Sequence, residues 1–112
     1  GADPWLAASA IEGPATITIA LPDDLRDERV DVRLWFAEAN PTAKPGDRVF
    51  EVRLNGKTVL ESFDPAETAG PLNSIDRTFK GIEAEKELTI ELRSGDGELP
   101  PLLSAAEFVK AR

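Results

Sequence analysis

The sequence predicts an all-β domain, an antiparallel β-sandwich or jelly roll. Three observations lead to this prediction. About seven short segments alternate between apolar and polar residues, turn-forming Gly, Pro and Asn residues separate them, and no segment shows a sustained helical period. A chain of 112 residues fits one domain of ordinary size, so the prediction is a single domain over residues 1–112.

The first two predicted strands follow from period-2 alternation, which places every second side chain on the same face of a sheet. Residues 15–21 alternate Ile and Leu with Thr and Ala, and residues 29–37 show the clearest alternation in the chain. The two faces of the second strand are Val30, Val32, Leu34 and Phe36 on one side, and Asp31, Arg33, Trp35 and Ala37 on the other.

The second half of the chain continues the pattern. Residues 48–62 predict a hairpin around Asn55-Gly56, because a type I′ turn needs positive φ at both central positions. A Pro- and Gly-containing loop over residues 64–73, with one helical turn at 66–69, precedes strands at 74–80 and 87–93. Residues 102–111 contain good helix formers but also suit a central strand covered on both faces, and the pattern leaves both open.

Composition and charge exclude several functional classes. The chain has no Cys and no His, so thiolate sites, the usual zinc ligands and a Ser-His-Asp triad are excluded. The net charge of −8 disfavours nucleic acid and anionic membranes as partners. No run approaches the ~20 apolar residues of a membrane-spanning helix, and no cofactor motif occurs. Because the chain also has no Met, we expect a domain excised from a longer protein.

An ordered series of short motifs carries a family resemblance. The motifs are residues 32–38 (VRLWFAE), 46–52 (GDRVFEV), 54–57 (LNGK), 63–64 (FD), 77–81 (RTFKG), 88–92 (LTIEL), 100–103 (PPLL) and 106–109 (AEFV). Together they resemble the malectin family of carbohydrate-binding domains. The resemblance implies a β-sandwich of jelly-roll type and a strand, not a helix, at residues 102–111. It also implies binding of small glucose-containing oligosaccharides by a domain attached to a larger extracytoplasmic bacterial protein.

The resemblance also indicates where sugar-binding residues would lie. In animal malectin, aromatic residues follow the Phe-Ala-Glu motif, and here those positions hold Asn40 and Pro41. The sugar-binding Asp of the final loop falls near residues 99–100, where Asp96 and Glu98 are the nearest carboxylates.

Trp35 and Glu38 are the leading candidates for sugar contact. Trp35 lies on the polar side of its strand, and an outward indole can stack on a pyranose while a nearby carboxylate binds hydroxyl groups. The alternative for Trp35 is packing under a loop or against a neighbouring domain. The alternative for Glu38 is to hold its loop by accepting backbone N–H groups or an Arg. Trp5, near the N-terminus, is expected to plug the edge of the sandwich.

The sequence therefore predicts a non-catalytic carbohydrate-binding module that requires no cofactor and no metal. Its candidate site residues are Trp35, Glu38, Asn40, Asp96 and Glu98. Its expected partners are an oligo- or polysaccharide and neighbouring domains of the parent chain, outside the cytoplasm. The alternative is a structural or protein-interaction sandwich without a sugar site.

Overall fold

The structure is a computed structural model that describes residues 5–38, 40–70 and 73–111, with residues 5–10 described by their backbone alone. Its elements in chain order are β1 (Trp5–Glu12), β2 (Ala15–Ala20), a 3-10 turn (Asp23–Leu25), β3 (Arg29–Ala37), β4 (Phe50–Leu54), β5 (Lys57–Phe63), α1 (Pro65–Ala69), β6 (Ser74–Glu83), β7 (Glu87–Ser94) and β8 (Leu102–Lys110).

The strands form two four-stranded sheets in which every pairing is antiparallel. The sheet with the order β1-β8-β3-β6 is called the front sheet here, and the sheet with the order β2-β7-β4-β5 the back sheet. This arrangement confirms the predicted antiparallel β-sandwich.

The core lies between the two sheets and is built from the alternate side chains of each strand. The even-numbered residues of β3 from Val30 to Phe36 are buried, as the alternation predicts. Phe36, Phe50 and Phe63 pack against one another with ring centroids 4.7 to 5.8 Å apart. Aromatic pairs in tilted or edge-on contact stabilise a core beyond the area they bury. The inner faces of both sheets thus meet at an aromatic cluster.

The hairpin between β4 and β5 has the predicted turn. Asn55 has φ +49° and Gly56 has φ +81°, which is the backbone that a type I′ turn requires. The Asn55 side chain also holds the neighbouring connection between β6 and β7. Its amide nitrogen donates to the carbonyl of Glu83 at 2.8 Å, and its oxygen accepts from the N–H of Thr89 at 2.8 Å.

Two strands differ from the sequence prediction, and a third decides between the helix and the strand that the pattern left open at residues 102–111. β1 was not predicted, because its Ala-rich sequence shows no alternation, and it forms by backbone pairing with β8. β6 continues to Glu83, beyond the predicted end at residue 80. β8 is a strand, as the family resemblance implies, and it lies inside the front sheet between β1 and β3.

Two glycines let the β7–β8 connection pack closely on the segment that precedes β4. A Cβ atom at Gly97 would lie 2.5 Å from the carbonyl oxygen of Asp47, and one at Gly95 would lie 2.5 Å from that of Val49. The close approach allows Gly95 N–H to donate to Val49 at 2.9 Å and Leu99 N–H to donate to Asp47 at 2.8 Å. These contacts join two loops at one end of the sandwich, called the loop end below.

We expect Gly97→Ala to destabilise the domain by about 1–3 kcal/mol, because the added methyl group must push backbone apart. Glu98→Ala is the matched control at an exposed neighbouring position, and its effect should stay within about 0.5 kcal/mol. Urea unfolding of both variants measures the difference. A Gly97→Ala variant as stable as the wild type would contradict the close packing.

Candidate functional site

Trp35 lies on the outer face of the front sheet, as its position in the alternation predicts. It is half-buried on the central strand β3, directly opposite Ala105 of β8 and Asp76 of β6. Ala37 follows it on the same face. Because the neighbouring Ala side chains are small, the indole can lie low across the sheet and still meet solvent.

An ion pair accompanies the indole. The guanidinium carbon of Arg33 lies 4.6 Å from the ring centroid of Trp35, and Arg33 Nε donates to Asp76 Oδ2 at 2.9 Å. The Arg33 and Asp76 side chains keep 46% and 43% of their surface exposed. Arg33, Trp35 and Asp76 are called the Trp35 platform below. The platform combines an apolar ring with oriented donors and acceptors that remain open to solvent.

The outer face of the back sheet has a different character. It carries Arg and Glu side chains in paired rows with Thr between them, including Arg53–Glu51 and Arg93–Glu91. The hydrogen bond from Arg53 lowers the pKa of the Glu51 carboxyl. The five Phe side chains belong to the core or pack against it. Among the aromatic side chains that the structure describes, Trp35 alone faces outward.

Glu38 does not share the face of Trp35. It continues the buried, even-numbered side of β3 and has no exposed surface. Its carboxylate accepts from Arg48 Nε at 2.5 Å, from Arg48 Nη2 at 2.9 Å and from the N–H of Asn40 at 3.1 Å. The structure therefore realises the alternative for Glu38, in which the carboxylate holds its loop through an Arg and a backbone N–H.

Arg48 joins several chain segments at the loop end. Besides Glu38, its Nη1 donates to the carbonyl of Pro100 at 2.6 Å and to Glu12 Oε2 at 3.2 Å. Burial alone would lower the pKa of Arg48, but the hydrogen bond and charge of Glu38, with a contribution from Glu12, raise it overall. Arg48 is therefore a permanently charged centre that links the ends of β1 and β3 to the start of β8.

The other candidates also lie at the loop end, where the Asn40 side chain accepts hydrogen bonds within its own loop. Asn40 Oδ1 accepts from the N–H of Thr42 at 3.0 Å and from its hydroxyl at 2.8 Å. Asp96 and Glu98 are exposed on the β7–β8 connection. The five predicted site residues thus do not form one constellation: Trp35 lies on the sheet face, Glu38 lies inside, and the other three lie on loops.

Sequence reasoning missed Arg48, Asp64 and the Arg33–Asp76 pair. Arg48 stands on the same alternating register as the buried residues of β4, and Glu38 continues that of β3. A charge on an apolar register predicts burial with an opposite partner, so this signal was present in the sequence.

Asp64, also buried, accepts from Gly46 N–H at 2.6 Å and caps α1 through the N–H of Glu67. Nothing in the alternation indicated that cap.

Two negative findings apply to the described ranges 5–38, 40–70 and 73–111. No helix there has the length and apolar character needed to span a bilayer. No group of three or more carboxylates there is arranged to bind a metal ion.

Comparison of the sequence with known proteins matches residues 6–111 to the malectin-like domain. The nodulation receptor kinase of Pisum sativum is 37% identical over 87 residues, which are 77% of this chain and 9% of that protein. The chain therefore spans a small part of the receptor kinase that it resembles.

Solved structures share the fold at lower identity. β-Glucuronidase 2 of Bacteroides uniformis superimposes with a TM-score of 0.73 at 14% identity, over 92% of this chain and 11% of that enzyme. The ANX1 ectodomain of Arabidopsis thaliana gives 0.72 at 18% identity, over 89% of this chain and 28% of that one. A plant complex of the peptide RALF23 with FER and LLG2 gives 0.74 at 22% identity, over 87% and 27% of the two chains.

We expect Glu38→Leu and Arg48→Met each to destabilise the domain by about 3–5 kcal/mol, because each leaves a buried charge without its partner. The double variant Glu38→Leu/Arg48→Met should lose clearly less than the sum of the single losses, since no unpaired charge remains at that pair. Arg53→Ala removes a partly exposed pair and is the control, with about 1 kcal/mol or less. Chemical denaturation measures all four variants. Single losses below that of the control would contradict the structural role of the pair.

Proposed function

The chain belongs to the malectin-like domain family, and from this premise we propose that it is a non-catalytic carbohydrate-binding module whose ligand lies on the Trp35 platform. The observation that carries the proposal is the position of Trp35. It is the outward-facing aromatic side chain of the described chain, and it lies beside an exposed and oriented Arg33–Asp76 pair.

The chemistry of the platform suits a pyranose. The apolar C–H face of a sugar ring packs on an indole, and adjacent hydroxyl groups need donors and acceptors at its rim. A sugar that packs on the indole takes the place of the Arg33 guanidinium over the ring, and the guanidinium N–H groups that Asp76 does not accept then donate to hydroxyl groups at the rim. Ser74 stands opposite Ala37 on the neighbouring strand and adds a further hydroxyl at the rim.

The charges around the platform favour a neutral sugar over a uronic acid. Glu107 stands opposite Arg33 on β8, Asp31 lies two residues before it, and Asp76 pairs with it. A carboxylate on the ligand would meet three acidic side chains around one Arg. A neutral, glucose-containing glycan, as the family resemblance implies, avoids that repulsion.

The proposal of a non-catalytic role rests on the contacts that the buried carboxylates make. Glu38 and Asp64 are the buried acidic residues of the described chain. Glu38 is bound by Arg48, and Asp64 accepts from Gly46 and caps α1. Glycoside hydrolysis requires two carboxyl groups that flank an open bond-cleavage position, and these two serve internal contacts instead.

We place the parent protein outside the cytoplasm. The similar ANX1 structure is an ectodomain, and the similar nodulation protein is a receptor kinase. The absence of Cys is compatible with this location, because the sandwich needs no disulfide to close its core.

A peptide or protein partner is the second candidate, and the Arg33 stack is the observation that favours it. Trp and Arg are the residue types that dominate binding energy in protein interfaces, and here they lie together on a flat sheet face. A similar structure contains the peptide RALF23 with FER and LLG2. In this alternative the guanidinium stays on the indole and a protein surface covers both.

Glycan-array screening followed by calorimetry tests the first candidate. We expect a neutral glucose-containing oligosaccharide to bind, and Trp35→Ala to weaken binding about tenfold or more, equivalent to about 1.4 kcal/mol. Arg53→Ala, on the back sheet, is the matched control and should bind like the wild type. Trp35→Ala also needs a cooperative unfolding transition above the assay temperature, which shows that the loss of binding is not a loss of folding.

The loop-end candidates need their own variant. Asp96→Ala/Glu98→Ala removes the two exposed carboxylates of the β7–β8 connection and should leave affinity unchanged if the platform is the site. If this double variant abolishes binding and Trp35→Ala does not, the site lies at the loop end. If no glycan binds but a displayed peptide library yields ligands that require Trp35, the second candidate replaces the first.

A further inference from the structure

The four edge strands of the sandwich are not protected alike. β1 and β6 are the edges of the front sheet, and β2 and β5 are the edges of the back sheet. An edge strand exposes unpaired backbone groups, and proteins blunt such edges with charges, bulges and local twists. Comparing the edges therefore shows which one is left open to another strand.

β5 and β6 carry those protective features. Charged side chains occur along both strands: Lys57 and Glu61 on β5, and Asp76, Arg77, Lys80 and Glu83 on β6. Pairing of β5 with β4 and of β6 with β3 shifts register along the way, and Ser62 and Gly81 have positive φ. Both edges are therefore irregular and charged. The fourth edge, β1, is also irregular, because its pairing with β8 shifts register between Leu6 and Ala8.

β2 has none of these features. Its sequence, Ala-Thr-Ile-Thr-Ile-Ala, contains no charge and no Pro, and it pairs with β7 over all six residues without a register shift. In the described chain β7 is its one strand partner, so its outer row of backbone groups has no strand beside it. Ile17 and Ile19 pack against the core but remain partly exposed at this edge.

The side-chain pattern of β2 is complementary to itself. If a second copy pairs antiparallel about Thr18, Thr18 meets Thr18 of the second copy and Ile17 meets Ile19 of the second copy. Thr16 then meets Ala20 of the second copy. Ile17 and Ile19 stay on the inner face, Thr16, Thr18 and Ala20 stay on the exposed face, and no charge meets a like charge.

We propose that β2 is a self-association edge, at which two copies of this domain join their back sheets through an antiparallel β2–β2 pair centred on Thr18. The arrangement is a two-fold, isologous interface. The edge is about 20 Å long on a body 18 Å thick. The area that it can bury is therefore well below the roughly 800 Å² per partner of a standard interface. The dimer is therefore weak and concentration-dependent, and the net charge of −8 on each copy makes it stronger at high salt.

Cysteine cross-linking tests the register, because the chain has no Cys of its own. We expect Thr18→Cys to form a cross-linked dimer under mild oxidation with diamide, since directly opposed residues have Cα atoms about 4.5–5.5 Å apart. Thr16→Cys has a similar exposure and charge, yet two such residues would lie about 13 Å apart across the two-fold axis and should not cross-link. Equal cross-linking of both variants would overturn the proposed register.

Sedimentation equilibrium of the unmodified chain tests the dimer without cross-linking. We expect the wild type to associate with rising concentration and salt, and Thr18→Lys to remain monomeric because two Lys residues would face each other. Thr78→Lys, on edge strand β6, changes the net charge equally and should associate like the wild type. A monomeric wild type at all concentrations, or association that Thr18→Lys leaves unchanged, would overturn the proposal.

Discussion

The buried ion pair between Glu38 and Arg48 is the constraint on which the arrangement of this domain depends. Both groups lie on the core-facing register of strands, and each would be costly to bury alone. Because Arg48 also donates to Glu12 and to the carbonyl of Pro100, one guanidinium fixes the end of β1, the end of β3 and the approach to β8. The loop end of the sandwich is thus organised around a charge that has no freedom to engage a ligand.

The polar side chains of this domain therefore fall into two groups, those that are used in contacts within the chain and those that remain available to a ligand. At the loop end, Glu38, Asn40 and Asp64 use their oxygen atoms in contacts within the chain. On the front sheet, Arg33 and Asp76 are paired but still exposed, and they flank the indole of Trp35. The family fold is retained, while the exposed ion pair that flanks an aromatic ring lies on a sheet face.

The sequence predicted those parts of the structure that depend on alternation and turn chemistry. The two faces of β3 and the Asn55-Gly56 turn follow from local rules and are confirmed. β1 was not predicted, because it pairs with β8 through its backbone and its Ala-rich sequence has no alternation that would indicate a strand. The Glu38–Arg48 pair was detectable in principle, since each charge interrupts an apolar register, but the nine intervening residues hid the partnership. The Arg33–Asp76 contact joins residues 43 positions apart and needed the sheet order to be known.

The central claim is that ligand binding uses the face of the front sheet and not the loop end. Titration of the isotope-labelled chain with a neutral glucose-containing oligosaccharide, followed by amide and side-chain nitrogen NMR, tests this claim most directly. We predict shifts of the Trp35 indole N–H, the Arg33 Nε–H and the amides of Asp76 and Ala105, with little change at Asp96 and Leu99. Shifts concentrated at residues 95–99 and Asn40, with an unperturbed Trp35 indole, would contradict it.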